Sequence, residues 1–170
     1  MKQIFESSRI RFVEVSEELV DDYLAMVNDY ENVNRYIGGK RKTFTAEQEL
    51  AWVREQLEKK TLVFSMIDKE SGEFIGNIEL MDVNESTREL GIAITAAKQN
   101  AGYGTESVSA ITEYGFRQLG LARIILRASP GNARAIHVYE TCGFKEYGRT
   151  DDHVCMDMSL RQEGESSWEI

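Results

Sequence analysis

The feature that most restricts the fold is a change of hydrophobic period near residue 62. Upstream, apolar residues recur mainly at helical spacing. Downstream, residues 62–68, 74–82 and 88–94 carry strand patterns, separated by the turn Lys69-Glu70-Ser71-Gly72 and by the polar residues 84–87. Links this short join antiparallel neighbours, so the three strands form a meander. A helix over 105–119, a strand over 123–128, a helix over 132–142 and a strand over 153–160 follow. A meander succeeded by alternating helices and strands predicts an α/β domain with a mixed sheet.

Ahead of the meander, residues 9–15 alternate as a short strand that carries Ile10 and Phe12. Ser16 with Glu17 and Glu18 reads as a helix start, after which Leu19, Tyr23, Met26, Val27 and Tyr30 share a stripe. Thr45, with Gln48 three residues later, is a capping box that opens a second helix carrying Ala46, Leu50, Val53 and Leu57 on one face. Residues 32–42, with two glycines and several basic side chains, are expected to be a loop. A chain of 170 residues is long enough for one core and short for two. Residues 1–160 are therefore read as one domain, and 161–170 as a polar tail in which Trp168 alone is suited to docking.

Several classes of function are disfavoured. No apolar run approaches the roughly 20 residues of a membrane helix, and the start lacks the apolar stretch of a secretion signal, so a cytoplasmic protein without a membrane partner is expected. In that compartment Cys142 and Cys155 are expected to be reduced thiols that serve packing. A net charge of −9 repels a phosphate backbone, which argues against nucleic acid and favours a cationic partner. His137 falls between Ile136 and Val138 on an expected solvent face, and His153 has no recognisable partner. No His, Cys and carboxylate grouping has metal-ligand spacing, so no metal is expected.

The stretch richest in chemistry is Gln99-Asn100-Ala101-Gly102-Tyr103-Gly104-Thr105-Glu106, set between a strand and a helix. Two glycines permit a tight turn and close approach to a ligand, and the free N–H groups of the following helix start make an anion site. A plain strand-to-helix turn is the alternative. Ser107 stands where a dinucleotide fingerprint needs a further glycine, and the Gly-Lys-Ser/Thr of a P-loop is absent.

Gln99-x-x-Gly102-x-Gly104 resembles the Q/R-x-x-G-x-G/A pyrophosphate loop of the GNAT superfamily of N-acetyltransferases. Asn132-x-x-Ala135-x-x-x-Tyr139-x-x-x-Gly143-Phe144 is similar to the second signature of that superfamily, in the right order and with a helix and a strand between. The resemblance covers about residues 63–160, and its flavour is that of the branch with ribosomal-protein N-terminal and spermidine acetyltransferases. It implies a mixed, mostly antiparallel sheet with flanking helices and splayed central strands. It also implies acetyl-CoA as cosubstrate, bound by Gln99, Asn100, Ala101, Gly102, Tyr103, Gly104 and Thr105, by the backbone of Ile92 and Ile94, and by Asn132.

On the same resemblance Tyr139 is the general acid that protonates the departing thiolate, its alternative being a buried aromatic packed with Ala135 and Cys142. Glu89 is the first candidate for the base and Glu79 the second. Lys98 and Arg134 flank the signatures as candidate phosphate ligands, and Pro130-Gly131 ends pairing beyond the strand 123–128. Gly115 is read as a close-packing position and Gly120 as a helix C-cap. No cysteine or serine has a nucleophile's setting, so direct attack in a ternary complex is expected. The acceptor is expected to be an amine, whether a protein N-terminus, a polyamine or another small molecule, seated over the N-terminal helices and the 32–42 loop. A homodimer is left open. The competing reading is an acyl-CoA-binding module without turnover.

Overall fold

Ser16 and Thr45 cap the helical segments they precede. The Ser16 hydroxyl accepts from the Glu18 N–H at 3.2 Å, and Thr45 and Gln48 exchange bonds of 2.9 and 3.3 Å. Such caps contribute about 1 kcal/mol each by satisfying N–H groups left free in the first turn. The structure, a computed structural model, describes residues 1–37 and 41–160. The tail with Trp168 and the middle of the expected 32–42 loop lie outside the described residues.

The elements run β1 (Gln3–Glu6), β2 (Ile10–Glu14), a 3-10 turn (Glu17–Leu19), α1 (Val20–Val27), a π-helical turn (Tyr30–Asn34), α2 (Arg35–Ile37) and α3 (Ala46–Lys59). They continue with β3 (Val63–Asp68), β4 (Phe74–Asp82), β5 (Thr87–Ile94), a 3-10 turn (Ala96–Lys98) and α4 (Tyr103–Arg117). The chain closes with β6 (Arg123–Ala128), α5 (Ala133–Thr141), β7 (Lys145–Arg149) and β8 (Val154–Ser159). The strands form one sheet in the order β1-β2-β3-β4-β5-β6-β8-β7. Every pairing is antiparallel except β5 with β6, where α4 makes the crossover that parallel neighbours require. No helix among the described residues is long and apolar enough to cross a membrane.

Helices cover the two faces of the sheet and bury a core under each. Phe12, Phe64, Met66, Leu90, Val108 and Ile111 pack beneath α4 and α5. Val13, Tyr23, Met26, Val53, Ile67 and Phe74 pack beneath α1 and α3. Central strand β3 is buried along its whole length, which is why it reads as a continuous apolar run broken only by Ser65 and Asp68. Each fully buried Phe or Met contributes roughly 1.5–3 kcal/mol.

The structure corrects the sequence reading in three places. Residues 32–37 are helical rather than loop: the Asp29 carbonyl accepts from the N–H groups of both Val33 and Asn34, and Val33 is buried. Helix α1 ends at Val27, and Asp29, with a non-helical backbone, caps a separate helical segment that opens with the π turn, so the apolar stripe of α1 does not carry into it. Edge strands β1 and β7 went unseen because β1 is short, with its half-buried residues Ile4 and Phe5 adjacent rather than alternating, and β7 is short and mostly exposed, which removes the period-2 signal. Helix α4 begins at Tyr103 rather than at 105 because Gly102 itself is the N-cap, at φ +85°.

Candidate active site

Strand β5 keeps its β4 partner along its whole length, but its pairing with β6 stops at Glu89 opposite Ile125. Beyond that point β6 stays paired with β8 through Ala128 and the two parallel strands part. Residues 90–94 therefore offer a row of backbone groups with no strand on one side among the described residues. Such groups need a partner, and an extended ligand arm running along them can supply it as an added strand would.

The glycine loop lies directly past the end of this row. Gly102 occupies the left-handed region, which a β-carbon would strain, and so turns the chain into α4. Gly104 faces the gap: a β-carbon there would lie 3.6 Å from Ile94 Cδ1 and 3.8 Å from Val138 of α5. Gln99 ties the neighbourhood together. Its Nε2 donates to the carbonyls of Ile94 at 2.9 Å and Asn32 at 3.1 Å, while its Oε1 accepts from Arg134 Nη2 at 2.9 Å. Arg134 Nη1 also donates to Asn100 Oδ1 at 3.2 Å, so the start of α5 is bonded to the loop. A polar cleft of about 320 Å³ opens here, lined among others by Glu31, Asn32, Arg35, Gln99, Asn132 and Arg134.

Tyr139 projects from α5 into the core beneath α4 and α5, where its ring meets Phe144 edge to face. Burial, with a smaller contribution from Cys142, pushes its phenol up to about 12, so it carries its proton throughout the neutral range. Its hydroxyl makes no hydrogen bond among the described residues. Nor is it sealed: Asn34 Oδ1 is the one wholly buried, unpartnered side-chain polar atom there. A protonated, uncommitted hydroxyl is therefore available to a ligand.

Glu79 and Glu89 lie on the opposite face of the sheet, under α1 and α3. Register sets Glu79 against Gly91 and Met81 against Glu89, so the two carboxylates are diagonal neighbours on one face. Glu79 lies over Gly91, where a β-carbon would approach its Oε1 to 3.1 Å. Burial first, and the charge of Glu89 second, raise the Glu79 carboxyl above its ordinary value. Glu89 is held by Arg127 of β6 through Nε at 3.2 Å and Nη2 at 3.3 Å. This ion pair spans the two strands just where they begin to part. On the same face a buried polar chain runs from the Tyr23 hydroxyl to Ser65 Oγ at 2.6 Å and on to Asn77 Oδ1 at 2.8 Å.

Comparison with known proteins bears on this geometry. The family model described as an acetyltransferase (GNAT) domain matches residues 9–145. The chain belongs to the GNAT acetyltransferase family. It is 32% identical over 118 residues to the uncharacterized N-acetyltransferase YnaD of Bacillus subtilis, covering 69% of this chain and 68% of that one. The spermidine N(1)-acetyltransferase of Vibrio cholerae is 36% identical over 76 residues, 44% of either chain. Among solved structures, the spermidine N-acetyltransferase of Vibrio cholerae in complex with CoA and spermine aligns with a TM-score of 0.80 at 20% identity, over 89% of this chain and 95% of that one. A GNAT-family acetyltransferase from Bacillus anthracis aligns with a TM-score of 0.81 at 21% identity, over 91% and 96%. These likenesses establish the fold, with its mixed, mostly antiparallel and open sheet, and make this GNAT chain an acyl-CoA-dependent N-acetyltransferase.

Within the GNAT fold the sequence-expected residues fall into three groups. Ile92, Ile94, Gln99, Asn100, Ala101, Gly102, Tyr103, Gly104 and Thr105 form one continuous path from the free edge of β5 into α4. Asn132 caps α5, accepting from the Ala135 N–H at 3.3 Å, and lines the cleft. Tyr139 and the carboxylates Glu79 and Glu89 stand on opposite sides of the sheet. Lys98 is not brought to the site as a free cation, since its ammonium is paired with Glu73. Arg9, Arg127 and Asn77 were missed. Nothing in the β1–β2 turn or in the alternation of β4 and β6 distinguishes them from solvated residues, because their partners lie elsewhere in sequence.

Proposed function

We propose that this chain moves an acetyl group from acetyl-CoA to an amine by direct attack within a ternary complex. The observation that carries the reading is the parting of β5 from β6 immediately ahead of the glycine loop. An extended thiol-bearing arm fits the free edge at 90–94, and its phosphates fit the N–H groups at the start of α4. The thioester supplies an activated acyl carbon. The amine lone pair attacks that carbon, the C–S bond breaks, and an amide and a free thiol result.

One proton must leave the amine and one must reach the thiolate; the chain offers a group for each, one on either side of the sheet, and proton exchange with solvent returns both groups to their starting states. Tyr139 donates its phenolic proton to the leaving thiolate. On the other face Glu79 accepts a proton from the amine, directly or through a water. Between the two carboxylates, Glu79 is the better base. Its carboxyl is raised above its ordinary value by burial and by its neighbour, whereas Glu89 is committed to Arg127. Glu89 then acts through Glu79, its charge helping to keep that carboxyl high. This reverses the order in which the two stand on resemblance alone.

A cationic acceptor suits the net charge of −9 and the two acids on the acceptor face. The curated relatives whose names specify a substrate are spermidine acetyltransferases, which supports polyamines as the first acceptors to try, ahead of protein N-termini. The test is a panel of amines assayed for acetyl-CoA-dependent release of free thiol. Amine-dependent release is expected with at least one cationic acceptor. Tight acetyl-CoA binding with no release across polyamines, peptides and small amines would instead favour the binding module without turnover.

A further inference from the structure

Arg9, in the turn between β1 and β2, lies 97 residues ahead of Glu106 and meets it at the start of α4. Its Nε donates to Glu106 Oε2 at 2.7 Å, and its Nη1 donates to the carbonyl of Ala101 at 3.0 Å. The guanidinium carbon lies 4.4 Å from the centre of the Tyr103 ring. Its backbone N–H donates to Glu106 Oε1 at 2.6 Å, which also accepts from the Ser7 hydroxyl at 2.7 Å. Tyr103 is fixed from its other end, its hydroxyl donating to Asp68 Oδ2 at 2.6 Å. One side chain thus grips the carbonyl before Gly102, the ring after it and a carboxylate in the first turn of α4.

Two consequences follow from elementary geometry and electrostatics. A trans peptide points its C=O and N–H in opposite directions, so holding the Ala101 carbonyl toward Arg9 aims the Gly102 N–H away from it. Glu106 is the other matter, because a carboxylate in the first turn competes with any anion for the positive end of the helix. Bound by Arg9 and Ser7, Glu106 has its oxygens engaged on the β1–β2 side and its charge balanced there.

We infer that Arg9 is a positioning residue of the acyl-CoA site: it sets the glycine loop so that its amides face the diphosphate, and it neutralises the one carboxylate in the first turn of α4. The inference rests on the acyl-CoA reading proposed above and assigns the β1–β2 turn, which neither glycine-loop nor α5 signature includes, to cosubstrate binding. Arg9 itself touches the loop and not the reacting atoms.

The test uses the full chain, with CoA as the probe, in the wild type and in Arg9→Met. Calorimetry reads the affinity, and amide hydrogen exchange at saturating CoA reads where protection arises. Arg9→Met is expected to weaken CoA by roughly 10- to 100-fold, the worth of a hydrogen bond from a charged group. Protection at residues 102–104 should be lost while protection at 90–94 is kept. Arg9→Lys retains the charge and the aliphatic stem and so guards against a misfolded variant; it should show the same local loss with a smaller change in affinity. Unchanged CoA affinity in both variants would overturn the inference and leave the acyl-CoA reading standing. Parallel loss of protection at both segments, with a lower melting temperature, would also overturn it, since Arg9 would then only hold β1 and β2 to α4. A wild type that bound no CoA would overturn the acyl-CoA reading and the inference with it.

Discussion

The two faces of this sheet are built by different means. On the α4 and α5 side, the site is made mostly of backbone: the free edge of β5, a left-handed Gly102, and the N-termini of two helices. Under α1 and α3 it is made of side chains brought together from several strands: Glu79 over Gly91, Arg127 on Glu89, Ser65 between Tyr23 and Asn77. Backbone devices demand particular residues at fixed offsets, whereas side-chain constellations ask only that strands pair in the right register. The first kind leaves a motif and the second leaves none. The first kind also suits a cosubstrate whose structure does not vary, and the second an acceptor that does.

The largest effect expected to separate the faces is on turnover. Tyr139→Phe should slow acetyl transfer by about 10²- to 10⁴-fold, the usual worth of a positioned general acid, measured as thiol release under saturating acetyl-CoA. Because the hydroxyl has no partner to lose among the described residues, folding stability should change by less than about 0.5 kcal/mol in denaturant titration. Loss of stability in step with activity would make Tyr139 a structural residue, and the contrast between the faces would weaken.

Next in size is the pair of carboxylates. Glu79→Gln should reduce turnover by about 10²-fold or more and leave CoA affinity unchanged. In the wild type, activity should fall as pH drops through the raised Glu79 value, because the protonated carboxyl cannot accept a proton, and this acidic limb should vanish in the variant. Glu89→Gln should cost far less at neutral pH and move the acidic limb downward, since it removes one cause that raises Glu79. If Glu89→Gln instead abolished the limb, the base would be Glu89.

A smaller change is expected at the loop. Gly104→Val should fold, because its β-carbon finds only ordinary contacts with Ile94 and Val138, yet calorimetry should report CoA affinity lower by about tenfold or more. Equal affinity would make the loop a mere turn.

The smallest effect concerns stability alone. The Tyr103 hydroxyl first, and the Ser71 N–H second, hold the Asp68 carboxyl down at about 2. A depressed carboxylate stabilises the fold above its unfolded value of about 3.9, and that contribution fades as pH falls toward 2. Tyr103→Phe should therefore be less stable than wild type at pH 7, with the gap closing between about pH 4 and pH 2 in urea titrations. A gap that stayed constant over that range would mean the hydroxyl matters for reasons other than the charge on Asp68.

What was legible beforehand follows the same division. The meander of β3, β4 and β5, the later elements α4, β6, α5 and β8 and the capping box at Thr45 all came from local pattern, and the glycine loop drew notice through its motif. The π turn at Tyr30–Asn34 was misread because the break at Asp29 starts a new helical segment out of phase with the apolar stripe of α1. Its link to the loop through Asn32 and Gln99 could not be foreseen, being a side-chain bond across 67 residues. The different settings of Glu79 and Glu89 were likewise beyond reach: both are glutamates on strands, and only register and the Arg127 ion pair tell their surroundings apart.

The seat of the cosubstrate along the free edge of β5 is tested most directly by amide hydrogen exchange with and without saturating acetyl-CoA. Slowed exchange should appear at residues 90–94 and at the loop 102–104, with β1 and β2 unchanged. Binding that protected neither segment, or that protected only the α1 and α3 side, would contradict a cosubstrate held between β5 and β6.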